Sequence, residues 1–402
     1  MRTRTVEMPH HIVVSSLVSA AILIGSACSP TPSHAATTQS AFVHPGLLHN
    51  GAELEFVKSQ VRAGAEPWKS AWESLRDHSI SQLTWRPQAT RDVVRGAYNN
   101  PDIGASNMER DAAAAYSQAL QWYMTGEKAH AEKAIEILNA YSSTLKSVGG
   151  HDARLLIGMT GINFVNAAEL IRHTYTGWKD NDQEQFEDLL LNLLYPVIKD
   201  FFPEANGNWD AAMIQTMMAI GVFLDDRAIF DRAVNHCLNG RSNGAISRYV
   251  NDFGECQESG RDQSHTQMGL GFLGCACEIG WKQGVDLYGA YNSRLASGFE
   301  YTAKYNLGYD VPYEPYRSID GKYDYPAISR SGRGRFRPIY EKIYHHYYDR
   351  MGMTMPYTKE VIDKIRPETW QLQHASWGRL MFAGLPPFPK GYDPKRPDTA
   401  AK

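Results

Sequence analysis

The fold class is decided by the stretch Asp111-Ala-Ala-Ala-Ala-Tyr-Ser-Gln-Ala-Leu-Gln-Trp-Tyr-Met124, an alanine-rich run of strong helix formers. Thr125-Gly-Glu127 interrupts this run. A second helical pattern follows at 129–145, where apolar residues from Ala134 to Tyr141 recur at helical spacing. Two helices joined by a short break form a helical hairpin.

The hairpin pattern recurs along the chain. Further helices are predicted at 162–175, 183–199, 209–224, 229–238, 264–281, 291–306, 338–350 and 370–382. The repeats have no fixed-period consensus, which an open solenoid usually shows. We therefore predict an all-α fold, an incomplete α/α toroid of about six to seven helix pairs, in a single domain over 37–402. The one candidate strand is 247–253.

The first 36 residues have the layout of a secretory signal. Arg2 and Arg4 precede an apolar run at 12–25, and small residues follow around Ser33-His-Ala-Ala36. The run is shorter than the ~20 residues of a spanning helix. We predict export to the periplasm or beyond, with cleavage favoured over a lipid anchor on Cys28 because Gly25 fits the lipidation pattern poorly.

The charge and cysteine content argue against several classes of partner. The formal net charge of -3 gives no global basic field for nucleic acid. A single basic run, Arg330 to Arg337, is thin support for such a role. No Cys-x-x-Cys pair or EF-hand loop is present, so no metal site is predicted. His345-His346 is interpreted as helix surface.

Four cysteines follow the signal segment: Cys237, Cys256, Cys275 and Cys277. Their even number would permit two disulfides in an oxidising compartment. Cys275 and Cys277 lie in a helical pattern, where residues i and i+2 face apart. We expect mostly buried free thiols.

Two polar runs stand where predicted helices begin: Asn206-Gly-Asn-Trp-Asp210 and Gln257-Glu-Ser-Gly-Arg-Asp-Gln-Ser-His265. Polar groups massed at such positions are costly to bury without a ligand. Arg261 and His265 are four residues apart and share a helix face. The structural alternative is an Arg261–carboxylate pair with a capping histidine, and Asn206 and Asp210 as helix N-caps. That alternative explains Asn208 less well.

The segment 306–337 interrupts the helical pattern. Its three prolines and four glycines prevent a long helix, and its tyrosines and cationic residues argue against simple disorder. A loop of this length inside a compact domain is usually functional or disordered. We predict that it forms a cleft wall, where tyrosine rings either stack on sugar rings or pack at the core boundary.

Amide, imidazole, guanidinium and phenol groups together match proton abstraction next to a carboxylate. In a uronic acid polymer the C5 hydrogen is weakly acidic, and neutralising the C6 carboxylate stabilises the enolate-like intermediate. A base then takes the C5 proton, and an acid such as tyrosine protonates the oxygen leaving from C4. This chemistry needs no cofactor.

The two polar runs, extended to Gln267, resemble the alginate lyase superfamily of α/α-toroid polysaccharide lyases. The later Ile328-Ser-Arg-Ser-Gly-Arg-Gly-Arg-Phe-Arg-Pro-Ile-Tyr-Glu341 strengthens the resemblance, which covers 107–382. The nearest branch is polysaccharide lyase family 38, whose members cleave polymannuronate or glucuronan. The Asn-Asn-His-Ser-Tyr-Trp run of the better-known branch is missing here, since Asn208-Trp209 lacks the histidine.

The resemblance implies site residues and a substrate class. Asn208 would neutralise the substrate carboxylate, and His265 would neutralise it or act as base. Arg317 and Tyr323 would polarise and protonate, with Tyr316 and Tyr325 as rivals of the tyrosine and Arg330 and Arg333 as rivals of the arginine. The expected substrate contacts are Trp209, Gln257, Arg261, Gln267 and Tyr316. The expected partner is an anionic polysaccharide, alginate first and glucuronan second.

Two other classes stay open. An inverting glycoside hydrolase would need two carboxylates about 6.5–9.5 Å apart, for which Glu258, Asp262 and Glu314 are the candidates. A non-catalytic sugar-binding protein would have no turnover to lose. The sequence does not separate mannuronate from glucuronate or guluronate, endo from exo action, or one oligomeric state from another.

Overall fold

The computed structural model describes residues 41–318, 321–368, 370–375, 377–386, 388 and 392–397. The predicted signal segment 1–36 and Cys28 lie outside the described residues. The helices are α1 Gly51–Arg62, α2 Trp68–Asp77, α3 Ala105–Thr125, α4 Lys128–Thr144, α5 Ala153–Thr174, α6 Asp180–Leu189, α7 Tyr195–Ile198, α8 Gly207–Phe223, α9 Arg227–Asn239, α10 Ile246–Tyr249, α11 Gln263–Lys282, α12 Ala290–Asn306, α13 Tyr340–Tyr344, α14 Pro356–Ile365 and α15 Gly378–Phe382.

Four long helices form an inner row. α3, α5, α8 and α11 pack side by side in chain order, and α4, α6, α9 and α12 pack against them or one another as an outer row. The inner helices are buried on nearly all sides, as expected of helices that are apolar around most of their circumference. Because inner and outer helices alternate, the inner helices all run in the same direction. The predicted all-α toroid is confirmed.

The remaining helices complete the ring. α1 packs on α2 and α13 on α14, so the described residues contain six helix pairs. α15 contacts α13, α2 and α1, so the last described helix packs against the first two. α6 and α7 are one continuous helix through a π-helical turn at Leu190–Leu194. Pro196 has no N–H to donate to a preceding carbonyl, which accounts for the widened turn just before it.

Five short strands lie at the helix ends. β1 Asp92–Arg95 is antiparallel to β2 Asp102–Ile103 and parallel to β3 Ser147–Gly149. β4 Tyr316–Arg317 pairs with β5 Asp324–Tyr325 in antiparallel register. Both small sheets belong to connections that reach the candidate active site described below.

Several local predictions were wrong. The segment 247–253 is not a strand, because Tyr249 ends the helical turn α10 and buries its whole side chain. The helix predicted at 370–382 is present only from Gly378 onward, since Trp377 has a left-handed φ of 73° that a continuous helix does not accommodate. His345 and His346 are buried, and His346 stacks on Tyr288 with ring centroids 3.6 Å apart.

Two further properties concern the cysteines and the length of the apolar helices. Cys237, Cys256, Cys275 and Cys277 are all buried free thiols. Among the residues that the structure describes, no helix is both long and apolar enough to cross a bilayer.

Candidate active site

A cleft with a volume of about 650 Å³ opens at the N-terminal ends of the inner helices. Residues from the entry of α5 (His151, Asp152), of α8 (Asn206, Trp209) and of α11 (Arg261, His265) line it. Since these helices are parallel, the positive ends of their dipoles face the same space. The exposed N–H groups and the dipoles together favour an anionic ligand.

His265 is held at the cleft by two neighbours. Its Nδ1 lies 2.6 Å from Oδ2 of Asp262, and its Nε2 lies 3.3 Å from Nη2 of Arg261. Asp262 also caps α11, because its Oδ1 accepts a hydrogen bond from the backbone N–H of His265. Burial opposes ionisation of Asp262, but the hydrogen bonds from His265 and the nearby Arg261 outweigh it and lower the pKa of Asp262. An ionised Asp262 can only accept, so Nδ1 of His265 carries the proton and Nε2 presents a lone pair.

Arg261 connects this pair to a buried carboxylate. Its Nη1 donates to Oε1 of Glu258 over 2.7 Å, and Glu258 is fully buried. Oε2 of Glu258 also accepts from the backbone N–H of Asn208 and the hydroxyl of Tyr249. Although burial lowers the pKa of Arg261, attraction to Glu258 outweighs it, so the pKa is raised and the guanidinium stays charged.

Asn206 faces the cleft instead of capping its helix. It occupies the N-cap position of α8 but makes no side-chain capping bond. Its Oδ1 accepts hydrogen bonds from Nε2 of Gln257 at 3.0 Å and from the hydroxyl of Tyr325 at 3.1 Å. Asn206 therefore stands at the predicted N-cap position but does not form the capping hydrogen bond. Asp210 accepts from the backbone of Phe202 and contacts His236, so its role is structural.

The segment 306–337, called here the tyrosine-rich loop, forms one wall of the cleft, as predicted. Lys322, Tyr323 and Tyr325 line the cleft, and the Tyr325 ring stacks between those of Tyr316 and Tyr323. The loop approaches the α11 entry closely because Gly260 has no side chain: a Cβ there would lie 2.4 Å from Cβ of Tyr325. Burial and the nearby Glu258 raise the pKa of Tyr325 to about 12, so its phenol stays protonated at neutral pH.

Arg337 supplies a second buried cation at the cleft. Its guanidinium donates to the backbone oxygen and hydroxyl of Ser264 and to the side-chain oxygens of Gln371 and Gln373. All four of these acceptor atoms belong to neutral groups, and none is a carboxylate oxygen. Burial lowers the pKa of Arg337 to about 10, which leaves it charged at neutral pH. A positive charge held by neutral acceptors favours an anionic ligand.

The structure separates some of the predicted site residues from the cleft. Asn208 is fully buried, and its side-chain amide has no hydrogen-bond partner among the described residues. Gln257 and Gln267 are buried and bonded to protein groups, so they position neighbouring segments. Arg317 is exposed and is not among the residues that line the cleft. It follows Tyr316 on β4, and successive strand residues face opposite sides.

Other predicted residues have clear positions. Trp209 lines the cleft next to Phe202. Tyr316 donates its hydroxyl to Oδ1 of Asn243 and supports Tyr325 from behind. Arg333 donates to the backbone oxygens of Tyr305 and Tyr309 and is therefore not a substitute for Arg317 in the cleft.

A further set of cleft residues was missed in the sequence. Arg95 ends β1, and Tyr98 and Asn99 form the turn before β2. Arg95 is buried; its nearest carboxylate oxygen, Oε1 of Glu109, is 3.7 Å from Nη2, and its Nε and Nη1 have no partner among the described residues. His151 and Asp152 directly precede α5. They are polar residues at the start of a helix, which is the same pattern that indicated the entries of α8 and α11 as parts of the site.

Comparisons with known proteins agree with this fold. The structure is similar to alginate lyase A1-III from Sphingomonas species A1, with a TM-score of 0.63 and 12% identity, covering 86% of this chain and 97% of that one. A tyrosine-to-phenylalanine variant of A1-III complexed with a tetrasaccharide has a TM-score of 0.59 and 14% identity, covering 86% and 98%. An alginate lyase from Bacteroides ovatus has a TM-score of 0.59 and 11% identity, covering 85% and 100%.

The sequence itself decides the family. No curated protein matches it. A family model described as alginate lyase matches residues 57–310, which is more than half of the chain. The narrower placement in polysaccharide lyase family 38 stays a prediction. The α/α toroid and the anion-attracting cleft agree with this match. The chain therefore belongs to the alginate lyase family and is a polysaccharide lyase.

Proposed function

We propose that this polysaccharide lyase cleaves a 1,4-linked polyuronate, alginate and in particular polymannuronate, by β-elimination that leaves 4,5-unsaturated uronate ends. The observation that carries the proposal is one cleft that holds His265, Tyr323 and the guanidinium of Arg261 at the positive ends of parallel helices. This set supplies a base, an acid and a carboxylate-binding cation, and those are the three groups that the reaction needs.

The substrate carboxylate is placed against Arg261. A guanidinium donates two parallel hydrogen bonds to a carboxylate, and this neutralisation makes the C5 proton easier to remove. The 3.3 Å contact of Arg261 with His265 is long for a hydrogen bond. We infer that Arg261 exchanges this contact for the substrate, while Glu258 keeps hold of its Nη1. Asn206 supplies an amide beside it, and Asn208 lies buried behind the cleft surface.

His265 is proposed as the base. Nδ1 of His265 donates its proton in a hydrogen bond to Asp262, so Nε2 is the atom that accepts the C5 proton. The ionised Asp262 then stabilises the imidazolium that forms. This arrangement is the one that orients a histidine for proton transfer in other enzymes.

Tyr323 is proposed as the acid that protonates the O4 leaving group. It lines the cleft beside Tyr325. Tyr325 remains the alternative, but its hydroxyl donates to Asn206 and is engaged in holding the loop against α8. Arg337 and Arg95 are placed to attract the carboxylates of neighbouring sugar units.

Two variants of alginate lyase A1-III support an oligosaccharide as the kind of ligand that this chain binds. A tyrosine-to-phenylalanine and a histidine-to-alanine variant of that protein are complexed with a tetrasaccharide. We extend to this chain the binding of several sugar units along the cleft. A second candidate substrate is glucuronan, cleaved by the same steps, because nothing in the chemistry above depends on the configuration at C2.

A hydrolase is less well supported by the geometry. Glu258 is fully buried in contacts to Arg261, Asn208 and Tyr249. Glu314 is exposed and outside the cleft lining. Asp152 is the one carboxylate among the described residues that line the cleft, whereas inversion needs an opposed pair.

The decisive experiment is a substrate panel of polymannuronate, polyguluronate, glucuronan and hyaluronan. We expect ultraviolet absorbance from unsaturated ends to rise on polymannuronate in step with new reducing ends. Reducing ends without the chromophore would show hydrolysis. Binding without either product would show a sugar-binding protein.

Export and domain boundaries are part of the same proposal. Segment 1–36 acts as a cleaved signal, and 37–402 is the lyase domain, so the enzyme meets its polymer in the periplasm or outside the cell. Mass spectrometry of the secreted chain should find an N-terminus close to Ala36. An acylated N-terminus at Cys28 would show a lipid anchor.

A further inference from the structure

A cluster of possible metal ligands lies at the far end of α5 from the cleft. It consists of His44, Glu169 and His173, whose ligand atoms all lie within 4.8 Å of one another. Glu169 and His173 are four residues apart on α5 and share one face. Asp152, at the cleft, precedes Glu169 by seventeen residues of helix, or about 25 Å. The cluster is therefore separate from the active site.

The carboxylate of Glu169 is only half satisfied. Its Oε1 lies 2.8 Å from Nδ1 of His44 and accepts a hydrogen bond from the backbone N–H of Gly46 at 3.1 Å. Its Oε2 is buried and has no hydrogen-bond partner among the described residues, and the nearest imidazole atom, Nε2 of His173, is 3.6 Å away. A buried carboxylate oxygen without a partner is costly. The Glu169 carboxylate lies between the imidazoles of His44 and His173, and this arrangement points to a bound cation.

His44 is oriented by a second carboxylate. Its Nε2 lies 3.2 Å from Oδ1 of Asp225, in the turn between α8 and α9. Metal-binding histidines commonly donate their other ring N–H to a carboxylate, which directs the ligating nitrogen at the metal. Here Asp225 would hold Nε2–H and leave Nδ1 free to coordinate.

We propose that His44 Nδ1, Glu169 Oε2 and His173 Nε2 bind a divalent transition-metal ion of the zinc class. Two imidazoles and one carboxylate suit zinc, whereas calcium and magnesium prefer oxygen ligands alone. The 3.6 Å between Nε2 of His173 and Oε2 of Glu169 is close to the spacing of about 3.3 Å between tetrahedral ligands that each lie about 2.0–2.1 Å from zinc. The ligand atoms of the three residues all lie within 4.8 Å of one another, so small side-chain rotations would bring them to that spacing. His173 is solvent-accessible, so water completes the coordination.

The site would fasten the start of the described chain to the toroid. His44 precedes α1, while its partners lie on α5 and in the α8–α9 turn. A metal that binds only the folded form stabilises it by mass action. The role is structural, since no cleft residue is involved.

The test uses untagged protein, stripped with chelator, and zinc chloride as the probe. Calorimetry and elemental analysis should find one zinc per chain, and zinc should raise the thermal midpoint, while magnesium should not. His173→Ala and Glu169→Gln should each weaken zinc binding tenfold or more and abolish the thermal shift. Asp225→Asn should weaken binding by about tenfold, at the lower end for a ligand-orienting carboxylate.

A matched control is His130→Gln. His130 also lies near a carboxylate, with Nε2 3.8 Å from Oε2 of Glu127, but it belongs to no cluster of three possible metal ligands within the described part of the chain. That variant should bind zinc like the parent. His173 is accessible, so His173→Ala should keep the native circular dichroism and the parent's lyase rate well below the melting temperature. Zinc binding that is absent, or equal in the parent and the His173→Ala and Glu169→Gln variants, overturns the proposal, whatever the polysaccharide assay shows.

Discussion

Nδ1 of His265 lies 2.6 Å from Oδ2 of Asp262, and the same aspartate caps the helix on which His265 stands. One carboxylate therefore fixes the backbone position, the ring orientation and the tautomer of the proposed base. The arrangement depends only on residues one helical turn apart, so it is built by local folding.

Asp262→Asn tests this relationship. An amide can present its N–H to Nδ1, which places the proton on Nε2 and removes the lone pair. We expect kcat to fall by on the order of a hundredfold or more in Asp262→Asn, with a smaller change in KM. The kcat of His265→Ala should fall at least as far. Steady-state rates on the best polyuronate measure both. Wild-type activity in His265→Ala would exclude the histidine as the base.

The two cleft tyrosines are distinguished by their phenylalanine variants. Tyr323→Phe removes the proposed acid and should lower kcat by about a hundredfold or more with binding retained. Tyr325→Phe removes the hydrogen bond to Asn206 and should act more mildly. Tyr309→Phe is the control, because Tyr309 is exposed and outside the cleft lining. The reverse order of the first two effects would assign the acid to Tyr325.

Variants of Arg261 and Arg317 compare a guanidinium group inside the cleft with one outside it. Arg261→Lys keeps the charge beside Glu258 but loses the fork that binds a carboxylate. We expect kcat/KM to fall by on the order of ten- to a hundredfold, since one or two charge-assisted hydrogen bonds are lost. Arg317→Ala should stay near the parent value because the side chain is exposed outside the cleft. A large loss in Arg317→Ala would restore the role that the sequence resemblance implied for it.

The stability of the fold should depend on Glu255. Burial raises the pKa of Glu255 to about 7 from an ordinary value of 4.5. The folded state therefore holds a proton that the unfolded state releases between those values. Its contribution is fully present below about pH 4.5 and is lost as the pH rises through about 7, by at most on the order of 3 kcal/mol.

Urea unfolding at several pH values measures this contribution. Glu255→Gln should flatten the decline of unfolding free energy between pH 4.5 and 7, and the exposed Glu360→Gln should leave it unchanged. A parent and a Glu255→Gln variant with parallel pH profiles would show that Glu255 titrates normally.

The thiols should report the integrity of the toroid. Cys237, Cys256, Cys275 and Cys277 are buried, and burial raises the pKa of Cys237 to about 12. A thiol reagent should therefore react slowly with native protein and should find four thiols after unfolding without reductant, once the signal segment is removed. Two thiols in place of four would indicate a disulfide.

Much of the fold was accessible in the sequence because helical periodicity is local. The runs at 111–124, 209–224 and 264–281 correspond to α3, α8 and α11, each within a few residues except at the start of α3. The pairing of helices followed from short connections. α1, α2 and α14 were missed because their amphipathic patterns are short, and 247–253 was misassigned because an apolar run of that length fits a strand or a buried turn.

The site was predicted in part, for a similar reason. Helix-entry motifs reveal polar residues that share one turn, and these pointed to Arg261, His265 and the Asn206 region. Sequence alone determined the toroid and the family of this protein, since both depend on patterns between near neighbours. Only the tertiary structure placed Asn206 and Arg337 in the cleft, put Arg317 outside it, and brought His44 to Glu169 across 125 positions. Those contacts depend on how distant helices pack together, which local periodicity does not encode.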